Sequence, residues 1–175
     1  MLSSAIIVAL IVAIGFAGLA ASLLKSRLLV WDRDRKWGVP RWLKPVAVRL
    51  DDLPALVEAL SQGSAKVRYA GLVFNTPDRP DRDPVNLNLS FENGTVGFDW
   101  VLLAARNLED QEAFRAFARA QGHEPATLSM NGVSYLRVER GDIARFTASI
   151  VTEMYQCPAT QPLELVYEGF DWPRS

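Results

Sequence analysis

The chain has 175 residues, with 19 Lys plus Arg against 20 Asp plus Glu, one His, one Cys, 49% hydrophobic and 22% charged residues. That is one domain's worth of chain, too apolar for a disordered protein and too poor in Cys for a disulfide scaffold. Seven basic residues against Asp32 and Asp34 give residues 1–44 a formal +5, and the remainder carries twelve basic against eighteen acidic, −6, so the body is not expected to bind nucleic acid by neutralising phosphates.

Met1 to Leu24 contains no ionisable side chain. At ~1.5 Å rise per residue, such a helix reaches about 36 Å and can cross a ~30 Å hydrocarbon core. The expectation is therefore a single-pass membrane anchor over 1–24. A cleaved signal peptide is the competing reading, since Gly18-Leu19-Ala20 and Ala20-Ala21-Ser22 would suit a peptidase. Against it stand the length of the apolar run and the lack of a basic residue before it. Ala5, Ala9, Ala13, Ala17 and Ala21 recur every four residues, a spacing that drifts about 40° per step around a helix and reads as apolar filler before a packing ridge.

Residues 25–44 read as a basic, Trp-rich juxtamembrane linker. All seven flanking basic residues follow the apolar run, so the amino terminus is expected outside and the body, residues 45–175, in the cytoplasm. Trp31, Trp37 and Trp42 lie among Arg33, Arg35, Lys36 and Arg41. That mixture suits the membrane interface, with rings at headgroup level and cations facing anionic lipid.

The body opens with a short strand, Val46–Leu50. Asp51 and Asp52 then supply a cap, Pro54 fits a first turn, and Leu53, Leu56, Val57 and Leu60 form a helical stripe ending at Gly63. Capping explains the adjacent carboxylates better than acid–base chemistry. Lys66 to Asn75 reads as a strand. Thr76 to Pro84 holds three Pro and three Asp, but it lacks the glycine and bidentate carboxylate spacing of a calcium loop, so a solvated connection is expected and no metal.

Val85 to Leu103 around Asn93-Gly94 is the clearest local signal. A two-residue turn there pairs Glu92 with Thr95 and Phe91 with Val96. Continuing outward, Leu89 meets Phe98, Leu87 meets Trp100 and Val85 meets Leu102 on an apolar face. The opposite face pairs Ser90 with Gly97, Asn88 with Asp99 and Asn86 with Val101. Asn86, Asn88, Ser90 and Asp99 are the candidate binding residues, because short amides, a hydroxyl and one carboxylate make short, fixed hydrogen bonds. The competing expectation is a merely solvated face of an antiparallel sheet.

Asn107 is expected to cap a helix to about Gln121, with Ala113, Phe114 and Phe117 buried. A second hairpin, Ala126–Met130 and Val133–Glu139, turns at Asn131-Gly132. Asp142 caps a third helix with a stripe of Ile143, Phe146, Thr147, Ile150 and Met154, stopped by Cys157-Pro158, and Leu163–Tyr167 reads as the last strand. The fold class is thus α+β, a mainly antiparallel sheet with three helices behind a single N-terminal membrane helix.

No phosphate-binding loop, dinucleotide fingerprint or nucleophile elbow is present, and no catalytic residue or cofactor is expected. His123 reads as solvent-facing in a turn and Cys157 as a buried structural thiol.

Over about residues 51–157, the order helix, three strands, helix, two strands, helix resembles that of the type III secretion chaperone-like fold and its YbjN-type relatives. The resemblance implies a non-catalytic domain that binds a peptide or protein segment, commonly as a homodimer. The functional expectation is a membrane-anchored protein- or peptide-binding module, touching lipid through residues 1–44. The alternatives are a small membrane-associated hydrolase using carboxylates such as Asp99, and a periplasmic toxin-neutralising protein.

Overall fold

In the computed structural model the described residues are 45–80, 83–130 and 132–173. The expected anchor over 1–24, and the interfacial residues Trp31, Arg33, Arg35, Lys36, Trp37, Arg41 and Trp42, lie outside them. Among the described residues no helix is long and apolar enough to cross a membrane.

The chain is α+β, as its order of periodicities implies. Among the described residues seven strands, β1 (Val46–Val48), β2 (Tyr69–Phe74), β3 (Val85–Glu92), β4 (Thr95–Val101), β5 (Ala126–Met130), β6 (Val133–Val138) and β7 (Leu163–Glu168), form one sheet in the order β1-β7-β2-β3-β4-β6-β5. Every neighbouring pair is antiparallel. The helices are α1 (Leu53–Gln62), α2 (Ala105–Glu109), α3 (Gln111–Ala120) and α4 (Ile143–Ser149).

Leu53, Leu56 and Leu60 of α1, Phe114 and Ala118 of α3, and Phe146 and Ile150 of the last helix share one core with Leu72, Leu87, Leu89, Phe98, Trp100 and Leu136 of the sheet. Trp100 stacks on Phe114 at 4.5 Å, and Phe98 meets Phe146 edge-on at 5.3 Å. Alternation along each strand puts these sheet residues on a single side, here the helix face. α4 runs on into a π turn, Ile150–Met154, which brings Val151 into the core beside Ile150.

Several expectations are corrected by tertiary contacts. Asp52 does not cap α1 through its side chain. It instead accepts from the Arg49 N–H at 2.8 Å, closing a 3-10 turn over Leu50–Asp52. β2 starts at Tyr69 rather than Lys66, because the Arg68 guanidinium turns back to the Gly63 and Ala65 carbonyls and lies 3.5 Å over the Phe91 ring. The single helix expected from Asn107 is two, broken at Asp110, and Asn107 sits inside α2 with no exposure. Within α3, Ala118, one turn after Phe114, is buried with it, and Ala113 is exposed. His123 is half-buried rather than solvent-facing, edge-on to Phe146 at 4.6 Å. Cys157 is buried, and burial pushes its thiol pKa up.

Candidate functional site

Asn93 and Gly94 both have positive φ, 52° and 86°, the backbone required by the mirror-image two-residue turn. The register that follows is the expected one from Glu92↔Thr95 through Ser90↔Gly97 to Asn88↔Asp99. It stops there. The outer pairs Leu87–Trp100, Asn86–Val101 and Val85–Leu102 are not part of the ladder, because the Asn107 carboxamide takes the place of β4. Its Nδ2 donates to the Asn86 carbonyl at 2.7 Å, and its Oδ1 accepts from the Asn86 N–H at 3.3 Å.

The face opposite the helices is built in rows across the strands. One row runs Val166, Gly71, Asn88, Asp99, Arg137 through β7, β2, β3, β4 and β6. Beside it run Glu168, Tyr69, Ser90 and Gly97 on one side, and Glu164, Val73 and Asn86 on the other. The four residues singled out from the sequence therefore do share a surface.

They are not solvated. Asn86, Asn88, Ser90 and Asp99 are 1%, 3%, 8% and 0% exposed, which overturns the expectation of a wet sheet face. Arg137, which sequence reasoning missed, closes the cluster. Its Nη1 donates to Asp99 Oδ1 at 2.6 Å and to Ser90 Oγ at 2.8 Å, and its Nε to Glu139 Oε1 at 2.6 Å. Ser90 Oγ lies 2.6 Å from Asp99 Oδ2 and 3.2 Å from Glu92 Oε1, its one proton serving the nearer carboxylate. Tyr135 reaches Glu92 through its hydroxyl at 3.4 Å. Gly97 makes this possible, since a Cβ there would stand 2.5 Å from Arg137 Cζ. A glycine inside a run of strand formers was the one local sign of such a close approach.

Burial pushes the Asp99 carboxyl up to about 7 against the opposing pull of Arg137 and Ser90. Burial also draws the Arg137 guanidinium down, but Asp99 and Glu139 outweigh it and hold it above its ordinary value. Burial and the neighbouring Glu92 raise Tyr135 to about 12. Two polar atoms in the central row, Asn88 Oδ1 and Arg137 Nη2, are buried without a hydrogen-bond partner.

A second polar cluster ties Asp78 and Arg79 to α2. Arg79 makes a bidentate pair with Glu109 at 2.8 and 2.7 Å, and Arg106 bridges Asp78 at 3.0 Å and Asp110 at 2.5 Å. The Tyr155 hydroxyl donates to Asp110 at 2.7 Å. Asp78 is thus engaged by a guanidinium, and among the described residues no group of His, Cys, Asp and Glu is arranged to hold a metal ion.

Compared with protein-family models, with curated proteins and with solved structures, the chain matches none.

Proposed function

We propose that this is a membrane-anchored, non-catalytic module whose body, residues 45–175, holds an extended peptide or protein segment on the sheet face opposite the helices. The observation that carries the reading is the pair of unpartnered atoms in the central row, Asn88 Oδ1 and Arg137 Nη2. One asks for a donor and the other for an acceptor. A peptide backbone offers both, and each satisfied group recovers roughly 1 to 3 kcal/mol of desolvation cost. The helix–three strands–helical pair–two strands–helix order between Leu53 and Met154 supports the same reading through the secretion-chaperone resemblance, which also favours a homodimer.

The anchor over 1–24 and the cytoplasmic side for the body rest on charge and hydropathy alone. A hydrolase is favoured by one feature, the Ser90 hydroxyl set between Asp99 and Glu92. Against it, Asp99 has no exposure and already pairs with Arg137, so this carboxylate is engaged in holding the sheet.

The test is selection of random peptides on the full-length protein in detergent, followed by rebinding to Asn88→Ala and Asp99→Asn proteins. Loss of about tenfold or more in affinity, ~1.4 kcal/mol, is expected for both. Unchanged binding by both variants removes this face from consideration.

A further inference from the structure

The two edges of the described sheet are built differently. β1, at one end, has three residues, with Pro45 before it and the exposed Arg49 after it. Shortness, proline and charge are devices that keep an edge from pairing with another strand. β5, at the other end, has none of them. It has five residues, it pairs with β6 alone, and Ala126, Thr127, Leu128 and Ser129 are all exposed. No charged side chain lies between Glu124 and Arg137.

We propose that β5 is the interface between two copies of this chain, paired antiparallel about a two-fold axis at Leu128 so that the two seven-stranded sheets become one. The proposal goes beyond the peptide-binding reading, which concerns the centre of the sheet, and does not rest on it.

The hydrogen-bonding pattern of the strand selects a second copy. The Leu102 N–H donates to the Ser134 carbonyl at 3.0 Å, so Ser134 on β6 turns its backbone groups toward β4. Alternation turns those of Val133, Tyr135 and Arg137 toward β5, where their partners are Met130, Leu128 and Ala126. Thr127 and Ser129 therefore aim N–H and C=O out of the edge, one on each side of Leu128. Under a two-fold axis there, Thr127 meets the partner subunit's Ser129, and Ser129 meets the partner subunit's Thr127. Each of these pairs exchanges two hydrogen bonds, so every outward group of the two residues is satisfied in both copies.

The side chains fit the same axis. Leu128 lies opposite Tyr135, which forms with Val101 a small apolar cluster apart from the main core, with Met130 and Val133 packed against it. Leu128, 38% exposed, extends the apolar surface to the edge. Pairing brings it against the partner subunit's Leu128 in a non-hydrogen-bonded pair, the closer kind, and Ala126 against the partner subunit's Met130. A register centred on Thr127 would instead set a glutamate, Glu124, against Met130.

Charge does not oppose the approach. On the helix side of this edge Arg115 lies 3.6 Å from Glu112 and donates to Thr127 Oγ1 at 3.0 Å, and Arg119 pairs with Glu124 at 2.9 Å. Both arginines are neutralised within their own copy. A two-fold pairing also closes, using up the open edge of each chain and leaving only the guarded β1 edges outside.

The experiment uses full-length protein in detergent micelles. Sedimentation equilibrium should show a reversible dimer, which Thr127→Pro and Leu128→Lys each weaken about tenfold or more, ~1.4 kcal/mol. The first removes an N–H that β6 does not use, and the second sets two cations in the closest pair. Cooperative unfolding of each variant checks that the fold survives, and if one loses it, the other and a cross-link decide. The cross-link reads the register: in mixed isotopically heavy and light chains under glutathione, Leu128→Cys should join to its equivalent about tenfold faster or more than the exposed Ala55→Cys on α1 does. A dimer untouched by the substitutions, or a cross-link no faster than the α1 control, overturns the proposal. So does a monomer at every concentration, and selected peptides that bind such a monomer but not Thr127→Pro would give the edge to a foreign strand.

Discussion

The Asn107 side chain completes the backbone hydrogen bonding of Asn86, donating to its carbonyl and accepting from its N–H as a neighbouring strand would. Trp100 adds to the junction by donating Nε1–H to the Asn107 carbonyl at 2.9 Å. A single carboxamide therefore ends the β3–β4 ladder and docks α2. Asn107→Ala strands both backbone groups of Asn86 and should lower unfolding stability by about 2 to 4 kcal/mol. Urea denaturation measures it, and a loss under about 0.5 kcal/mol, the size of an ordinary surface change, would show that water replaces the amide without cost.

Gly97 and Arg137 form one packing unit. Gly97→Ala puts a methyl into the guanidinium and should cost roughly 1 to 3 kcal/mol. Arg137→Ala should cost about 3 kcal/mol at pH 8, because it leaves the Asp99 carboxylate buried without its cation. The double variant should lose clearly less than the sum, since the added methyl then has space. Strict additivity in the double-mutant cycle would refute the coupling.

Asp99 sets a pH dependence of defined sign. A carboxyl raised to about 7 in the folded state holds its proton more tightly folded than unfolded. Its contribution is fully present below the ordinary carboxylate range near ~4 and is lost as pH rises through 7. The expected loss is about 2 to 4 kcal/mol. The exposed carboxylates Asp78, drawn below its ordinary value by Thr76 and then Arg106, and Glu109 and Glu124, drawn down by arginine hydrogen bonds, act in the opposite direction in wild type and variant alike. The difference between wild type and Asp99→Asn isolates the buried group, so the Asn protein should lack this decline. Parallel stability–pH curves for the two proteins would assign the decline elsewhere.

The cytoplasmic side proposed for the body rests on the seven basic residues after the apolar run and none before it. Reporter fusions after Ser175 should be active as cytoplasmic and silent as exported reporters. Exported activity, or a mature protein beginning near Ala21, would move the body to the periplasm and favour the toxin-neutralising alternative.

The parts of this fold legible in the sequence are the local ones. Asn93-Gly94 carries its own register, Asp142 caps α4 by accepting from the Arg145 N–H at 2.9 Å, and Leu53, Leu56 and Leu60 announce a buried stripe. What lay beyond reading is set at a distance. The pairing of Asp99 with Arg137, 38 positions away, decides that the polar hairpin face is closed rather than wet, and no spacing in either hairpin encodes the β4–β6 contact. Asn107 misleads for a related reason, because a residue type favoured at helix ends is here spent on a strand it meets only after folding.

The place of β7 has a consequence for how the chain acquires its shape. The last strand lies between β1 and β2, pairing Leu165 with both Val46 and Leu72. The entry strand thus waits for residues almost 120 positions downstream before it has any neighbour in the sheet. Contacts of such separation close late. While the chain is being synthesised, the Asn93-Gly94 hairpin and the helices that follow it can assemble, but the seam next to the basic segment stays open until the final strand is threaded into it. Shortening the chain ahead of Leu163 would therefore leave two strands without their common neighbour, and the damage would fall at the opposite end of the sequence from the cut.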